Sequence, residues 1–259
     1  MASNDMLATM RATLSAVVIT CNEASRIKAC LDALAFADEI VVIDSGSDDD
    51  TVAIAQAAGA RVLHQDWLGY GAQKQFAVEQ ASHDWVFCVD ADEIPTPELR
   101  ASIEQALGAP AFMAYRHPRC NRFMGRDLRH GEGYPDWSLR LFHRAHGRWS
   151  TDPIHEKVVA DSEVGVLRGD LQHNSEDGIG NYLTKQNRYT DLQAQQMFAR
   201  GKRVGVATML LSPLLRFVKF YLLKRGFLDG VPGLIHILIG CFNSFSKYAK
   251  LIELYHART

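Results

Sequence analysis

Several signatures that would settle a function at sight are missing. The five cysteines, Cys21, Cys30, Cys88, Cys120 and Cys241, form an odd, scattered set with no C-x-x-C pair, which excludes a disulfide framework and a zinc knuckle. No G-x-G-x-x-G follows the first apolar run and no G-x-x-x-x-G-K-[ST] occurs anywhere, so the usual dinucleotide and triphosphate cradles are absent. There is no basic surplus to suggest nucleic acid over the whole chain, with 28 Lys and Arg against 30 Asp and Glu. The first ten residues carry no basic region followed by an apolar stretch, as a secretory signal would, and the run over residues 14–20 is far too short to span a bilayer. With the unpaired cysteines, this points to a reducing, cytoplasmic setting. Internal repeats and low-complexity linkers are also lacking. What remains is an ordinary globular composition, 47% hydrophobic and 22% charged over 259 residues, able to bury a sizeable core.

The charge is unevenly distributed. Residues 1–199 hold 18 Lys and Arg against 28 Asp and Glu, whereas residues 200–259 hold 10 against 2. The second segment is also rich in Leu, Ile, Phe and Tyr. Its charges suit anionic lipid head groups and its apolar residues suit the acyl boundary. Nucleic acid would account for the charge but not for the apolar content, so no nucleic-acid partner is expected.

Periodicity predicts an α/β fold. Residues 14–20 are continuous and β-branched, as in a strand buried on both faces of a parallel sheet. Ile27, Leu31 and Leu34 then repeat at helical spacing, predicting a helix over residues 24–36. Strands over 40–43 and 60–63 flank an Ala-rich helix over 48–58. A helix over 72–80 leads to a strand over 85–89, which runs into Asp90-Ala91-Asp92-Glu93. Alternation of this kind implies a mostly parallel sheet with right-handed crossovers. Beyond Pro95 the rhythm weakens to a helix over 98–107, a strand over 112–116, an irregular Arg-, Gly- and His-rich stretch over 118–149 and a polar helix over 180–199.

In open α/β sheets ligands bind outside the carboxyl ends of the strands. Polar clusters stand at three such ends: Thr20-Cys21-Asn22-Glu23, Asp44-Ser45-Gly46-Ser47-Asp48 and Asp90-Ala91-Asp92. Asp48 reads equally well as a helix N-cap, whereas Asp44 precedes its turn and does not. Asp90 and Asp92 on one turn repel each other when ionised unless a cation lies between them. A hard divalent ion that also holds phosphate oxygens is the natural occupant.

The stretches LSAVVITCNEASRIKACLDAL, EIVVIDSGSDDDT and WVFCVDADE resemble the nucleotide-sugar-binding half of the family 2 inverting glycosyltransferases, which have the GT-A fold. WSLRLFHR, IHE, YLTKQNRY, RGFLDG and KYAKL more narrowly resemble lipopolysaccharide core glucosyltransferases. The resemblance implies a Rossmann-like, mostly parallel sheet flanked by helices over residues 1–199, with a nucleotide-sugar half at about 12–95 and an acceptor half at about 96–199. Residues 200–259 follow as a basic amphipathic helical tail.

It further implies that Thr20, Asn22 and Glu23 line a nucleotide pocket, that Asp44 with Ser45 contacts the nucleoside, and that Asp90 and Asp92 hold Mg²⁺ or Mn²⁺, completed by His173. Lys74 reaches the donor or is an exposed helix lysine; Glu93 assists at the metal or is solvated; His173 has a structural reading beside the metal one. Arg140 contacts donor phosphates or an anionic acceptor. For the general base that inversion needs on the acceptor hydroxyl, Glu156 stands first and Asp136 second. Arg116, Arg119, Arg122, Arg126 and Arg129 form a cationic stripe if that region is helical and a general basic patch if it is loop.

The expected partners are a UDP-sugar, a lipid-linked oligosaccharide acceptor and the cytoplasmic surface of the inner membrane. Residues 204–223 are apolar enough to span a bilayer. Arg216 and Lys219 near the centre would each cost about 2.5–3.5 kcal/mol there, so an interfacial helix is expected, with packing of the tail on protein as the alternative. Competing functional readings are a polyprenyl-phosphate or protein glycosyltransferase, a nucleotidyltransferase and a non-catalytic nucleotide-sugar-binding module.

Overall fold

The computed structural model describes residues 11–152, 156–174 and 178–257. The sequence features at residues 1–10, Ile154 and His155 lie outside the described residues. Two compact units divide the chain: the first comprises residues 1–119 and 137–173, the second 120–136 and 174–259. The division falls at other places than the boundary after residue 199 expected from composition, and the polar helix over 178–199 belongs with the second unit.

The first unit begins with the expected alternation: β1 (Leu14–Thr20), α1 (Ile27–Ala33), β2 (Glu39–Asp44), α2 (Thr51–Ala57), β3 (Arg61–His64), α3 (Tyr70–Gln80) and β4 (Trp85–Asp90). Strands β3, β2, β1 and β4 lie side by side and parallel. Leu14, Ala16, Val18, Phe87 and Val89 pack on one face, with Ile27, Leu31 and Leu34 of the first helical stretch. Val17, Val41, Ile43, Val86 and Cys88 pack on the other. Burial on both faces explains why these strands read as continuous apolar runs rather than alternating ones.

β5 (Glu93–Pro95) and α4 (Pro97–Gly108) follow, then β6 (Ala114–Phe123), β7 (Arg126–Asp127), β8 (Asp136–His143), β9 (Gly147–Trp149), β10 (Val158–Ala160), β11 (Val164–Val166) and β12 (Leu171–His173). The main sheet continues from β4 through β8, β6 and β12 to β5, with β11 beside β6. This is a GT-A-type α/β fold, with its parallel part first.

Three local expectations are corrected. The first helix starts at Ile27, because the Glu23 carbonyl accepts the N–H groups of both Arg26 and Ile27 in a preceding turn. Asp48 does not cap α2: its own N–H donates to Asn22 Oδ1. The N-cap position is Asp50, which makes no side-chain cap bond, while Asp49 before it accepts the Thr51 N–H at 2.9 Å, with a second, very short bond from the Thr51 hydroxyl. The arginine series is neither helix nor loop at its start. Arg116, Arg119 and Arg122 lie on β6, where a spacing of three alternates faces. Arg119 therefore points to Glu93, while Arg116 lies outside, its guanidinium 5.0 Å from the Trp137 ring centre.

In the second unit, α5 (Gly178–Ala199) and α6 (Val206–Phe217) both pack on α7 (Gly230–His256). A wider-wound continuation of α6 over Val218–Leu223 and a tight turn over Gly226–Asp229 lead into α7. Lys250 ties α7 to α5 through Asp191 at 2.6 Å and Asn187 at 2.7 Å, and Ser212 of α6 meets Ser244 of α7 at 2.6 Å. Residues 126–132 are fastened to the same helices. His130 N–H donates to Asp229 Oδ2 at 2.8 Å, Arg216 pairs with Glu132, and Gly131 lies so close that a Cβ there would come 3.0 Å from Gly226 Cα. The C-terminal helices expected from the sequence are thus present. Two stretches, Val206–Leu223 and Gly226–His256, are long and apolar enough to cross a membrane by length and composition.

Candidate active site

The end of β4 and the turn after it hold the densest charge cluster of the first unit. Lys74, on the inner face of α3 and 5% exposed, places Nζ 3.1 Å from Asp90 Oδ2, 3.0 Å from Oδ1 and 3.5 Å from Glu156 Oε1. Its stem and ammonium lie over aromatic faces, with Nζ 4.9 Å from the Trp149 ring and 6.0 Å from Tyr70. An exposed helix lysine is excluded.

Arg140, 4% exposed on β8, donates through Nη2 to Asp90 Oδ2 and Glu93 Oε1, both at 3.2 Å, and through Nε to Ser138. The remaining nitrogen, Nη1, is buried with no hydrogen-bond partner. Glu93 has no exposed surface. It accepts the Asp90 N–H at 3.0 Å and approaches Arg119 at 3.4 Å, so the solvated reading of this carboxylate is overturned. Three cations, Lys74, Arg119 and Arg140, thus face three carboxylates, Asp90, Glu93 and Glu156, which is how the fold tolerates the buried charges of Lys74, Glu93 and Arg140. Burial alone would push the Asp90 pKa up, but Lys74 and then Arg140 outweigh it and hold Asp90 ionised, well below the usual carboxylate range. Beside them His117 is pushed down to about 3 by burial and stays neutral.

Asp92 and His173 come together through the sheet. β12 runs antiparallel to β5 with His173 opposite Glu93, which brings His173 Nε2 to 3.2 Å from Asp92 Oδ2. Burial works against ionisation of Asp92, yet the His173 contact overcomes it and its pKa is lowered. Among the described residues, no group of three or more His, Cys, Asp or Glu side chains stands close enough to hold a metal ion unaided.

At the ends of β1 and β2, Thr20 is buried and its hydroxyl makes no hydrogen bond. Buried Asp44 accepts the N–H groups of Gly46 and Ser47 at 2.9 and 3.0 Å and thereby shapes its own turn. Asn22 adopts a left-handed backbone, with φ of 57°, and bridges to the same turn through Ser47 and Asp48. Glu23 pairs with Arg26 at 2.6 Å. Ser45 accepts from Gln73 Nε2 at 3.0 Å, linking this end of the sheet to α3. Asp136 opens β8 and is counted with the second unit.

Sequence reasoning missed Gln73 and Trp149, and placed Arg119 in a cationic stripe or patch rather than beside Glu93. Arg119 was readable: Tyr115, His117 and Arg119 alternate inward along β6, the period of a strand. Gln73 and Trp149 carry no signal of that kind.

Comparison with known proteins agrees with this architecture. Residues 15–160 match the family described as Glycosyl transferase family 2. The chain is 32% identical to the lipopolysaccharide core biosynthesis glycosyltransferase LpsC of Rhizobium meliloti, over 93% of this chain and 92% of that protein. It is 31% identical to an uncharacterized glycosyltransferase of Rickettsia felis, over 93% and 89% respectively. Among solved structures, glucosyl-3-phosphoglycerate synthase of Mycobacterium tuberculosis, crystallised with Mn²⁺, UDP and glucosyl-3-phosphoglycerate, aligns at 28% identity with a TM-score of 0.37. That alignment covers 43% of this chain and 44% of the synthase, less than half its length. With a family match spanning more than half of the sequence and a relative matched almost end to end, this chain belongs to glycosyl transferase family 2.

Proposed function

We propose that the protein transfers a hexose, glucose from UDP-glucose, with inversion onto a lipid-linked lipopolysaccharide inner-core acceptor. The observation that carries this reading is Lys74, which joins Asp90 at the β4 end to Glu156 across 3.0–3.5 Å. One buried cation thereby couples the carboxylate expected at the donor diphosphate to the carboxylate expected at the acceptor. The likeness to LpsC supports the acceptor class.

Inversion is a single displacement. The acceptor oxygen bonds to the anomeric carbon as the bond from that carbon to the diphosphate breaks, and the acceptor proton leaves to a base. Glu156, half-buried beside Lys74, is that base, with Asp136 the alternative. Asp90 and Asp92, with His173, would hold a divalent cation, since two carboxylates and an imidazole are donors that such an ion accepts. Asp90 Oδ1 is paired at present with the Lys74 ammonium at 3.0 Å, and the remaining positions of Mg²⁺ or Mn²⁺ would fall to phosphate oxygens and water. When bound, such an ion supplies Lewis-acid neutralisation of the departing diphosphate. Arg140 offers its unpartnered Nη1, and Lys74 its charge, to the same leaving group. Thr20, with its unused hydroxyl, and Asn22, Glu23, Asp44 and Ser45 border the nucleoside.

The same reading places the enzyme in the cytoplasm, peripheral on the inner membrane. The apolar face of α6 is exposed, and no acidic residue occurs from 200 to 228. Lys202 and Arg203 precede the helix, while Lys219, Lys224 and Arg225 stand toward its other end, as in an interfacial helix.

Calorimetric titration with UDP-glucose, UDP-galactose and GDP-mannose, with and without Mn²⁺ or Mg²⁺, tests the donor. Metal-dependent binding of UDP-glucose alone is expected. Binding of GDP-mannose instead, or equal binding without metal, overturns the donor or metal assignment respectively.

A further inference from the structure

The loop between β3 and α3 and the first residue of α3 expose three large apolar side chains close together: Trp67 at 50%, Leu68 at 51% and Tyr70 at 48%. They are held firmly. Gln73, fully buried, accepts the Leu68 N–H at 3.2 Å and donates to the Gln65 carbonyl at 3.1 Å, spanning the loop from within. The rings of Trp67 and Tyr70 meet edge to face with centres 4.8 Å apart. Ordered aromatic rings left in water lose little entropy when a ligand covers them, so their exposure marks a recognition surface rather than a packing surface.

Their position identifies the ligand class. Tyr70 is the chain neighbour of Gly71. A Cβ on Gly71 would collide with the Ser150 carbonyl and stand 3.5 Å from Glu156 Cβ, so α3 starts directly against the residue assigned as base. Lys74 lies 6.0 Å from the Tyr70 ring and 3.5 Å from Glu156. A molecule whose hydroxyl faces Glu156 therefore has Tyr70 and Trp67 at its flank. A pyranose ring presents one face of C–H bonds that packs on an aromatic ring while its hydroxyls stay free to hydrogen-bond.

We propose that Trp67 and Tyr70 form a stacking platform for a sugar ring of the acceptor, which orients the attacking hydroxyl toward Glu156. This rests on the glycosyltransfer reading and deepens it, because the platform selects a saccharide acceptor rather than a bare lipid phosphate.

The test uses the full chain, UDP-glucose with Mn²⁺, and deacylated, core-truncated lipopolysaccharide as a water-soluble acceptor. For Trp67→Ala and Tyr70→Ala, KM for that acceptor is expected to rise about tenfold or more, with donor affinity by calorimetry unchanged. Trp67→Phe is expected to recover most of the loss. In saturation-transfer NMR, the contacts of the C–H face of one acceptor ring should weaken in Trp67→Ala. Raised donor Kd with unchanged acceptor KM overturns the proposal in favour of base stacking. Lost vesicle binding with unchanged acceptor KM overturns it in favour of membrane insertion. Failure of the wild type both to transfer to this acceptor and to contact it also overturns the platform, while calorimetric binding of UDP-glucose would leave the donor reading standing.

Discussion

The two units treat unfavourable surface in opposite ways. The first takes charge out of water and balances it: Lys74, Arg119 and Arg140 lie within 3.5 Å of Asp90, Glu93 or Glu156. The second leaves apolar side chains outside, with Leu214 63% exposed and Leu211, Leu215 and Leu222 exposed beside it. Each arrangement costs folding free energy on its own, since buried charges lose hydration and exposed leucines lose burial. The difference teaches what each unit would gain from a partner: on the proposed function, paired charges would meet a charged ligand in the first unit, and bare leucines would be covered by an apolar surface in the second.

The sharpest way to break this comparison is at Glu156. Glu156→Gln keeps the size of the side chain and removes its basicity. Turnover should fall by about 10²–10⁴-fold with donor affinity little changed, because general-base catalysis typically contributes that factor. Steady-state kinetics beside calorimetry checks it. If Asp136→Asn shows this pattern and Glu156→Gln does not, the base belongs to the second unit and the division of labour fails.

Next in size is Glu93. Glu93→Ala leaves Arg140 with Asp90 as its one carboxylate beside the Ser138 hydroxyl, and deprives Arg119 of the carboxylate 3.4 Å away. Breaking a buried pair from one side typically costs about 3–5 kcal/mol. Thermal or denaturant unfolding should show a loss of that order in the first unit, and an unchanged midpoint would mean that water or rearrangement already satisfies these arginines.

Glu39 tests the same principle away from the site. Burial disfavours its charge, but it accepts Ser15 Oγ at 2.6 Å, the Ser82 N–H and hydroxyl at 2.8 Å, and Arg61 Nη2 at 2.8 Å. Together these lower its pKa from 4.5 to about 2. A carboxyl depressed on folding contributes stability that is present above its unfolded pKa and is lost as pH falls through the folded one. Unfolding free energy should therefore decline as pH falls from about 4.5 to 2, by about 1–2 kcal/mol through this group once solvent screening of its partly exposed partners is allowed for. In Glu39→Gln that part of the decline should vanish, as unfolding at a series of pH values would reveal.

Legibility in the sequence followed the range of the interactions. β1, β2 and β4 were readable because burial on both faces writes itself as a continuous apolar run, and the strand ends then located Thr20, Asp44 and Asp90 without further information. Lys74 was not readable as a buried ion pair, because its partners lie 16 and 82 residues away along the chain. Glu93 kept two readings open for a related reason: a third acid after Asp90 and Asp92 can assist them or be solvated until the inward turns of Arg119 and Arg140 are known, which remove the solvated one. Asp48 reads as a helix N-cap because an acid before an Ala-rich run is a capping residue by composition, and only the backbone path shows that α2 starts later, at Thr51. The irregular stretch over 118–149 concealed β6 and β8, whose pairing is set by neighbours distant in sequence and not by local periodicity.

The smallest expected effect sharpens the comparison from the second unit. Leu214→Ala removes one exposed apolar side chain from α6 without disturbing the face of that helix that meets α7 through Ser212. If the bare leucines enter a lipid boundary, losing most of one side chain costs about 1.4 kcal/mol of transfer free energy, close to tenfold in partitioning. Co-sedimentation with vesicles containing anionic lipid should show that tenfold loss, while kinetics on a water-soluble acceptor and the unfolding midpoint stay at wild-type values. Raising the salt concentration should weaken binding of wild type and variant alike, because Lys219, Lys224 and Arg225 supply the screened part of the attraction. Unchanged vesicle binding together with a lowered unfolding midpoint would instead mean that Leu214 is covered by protein, and the exposed face would then belong to an assembly of chains rather than to a membrane.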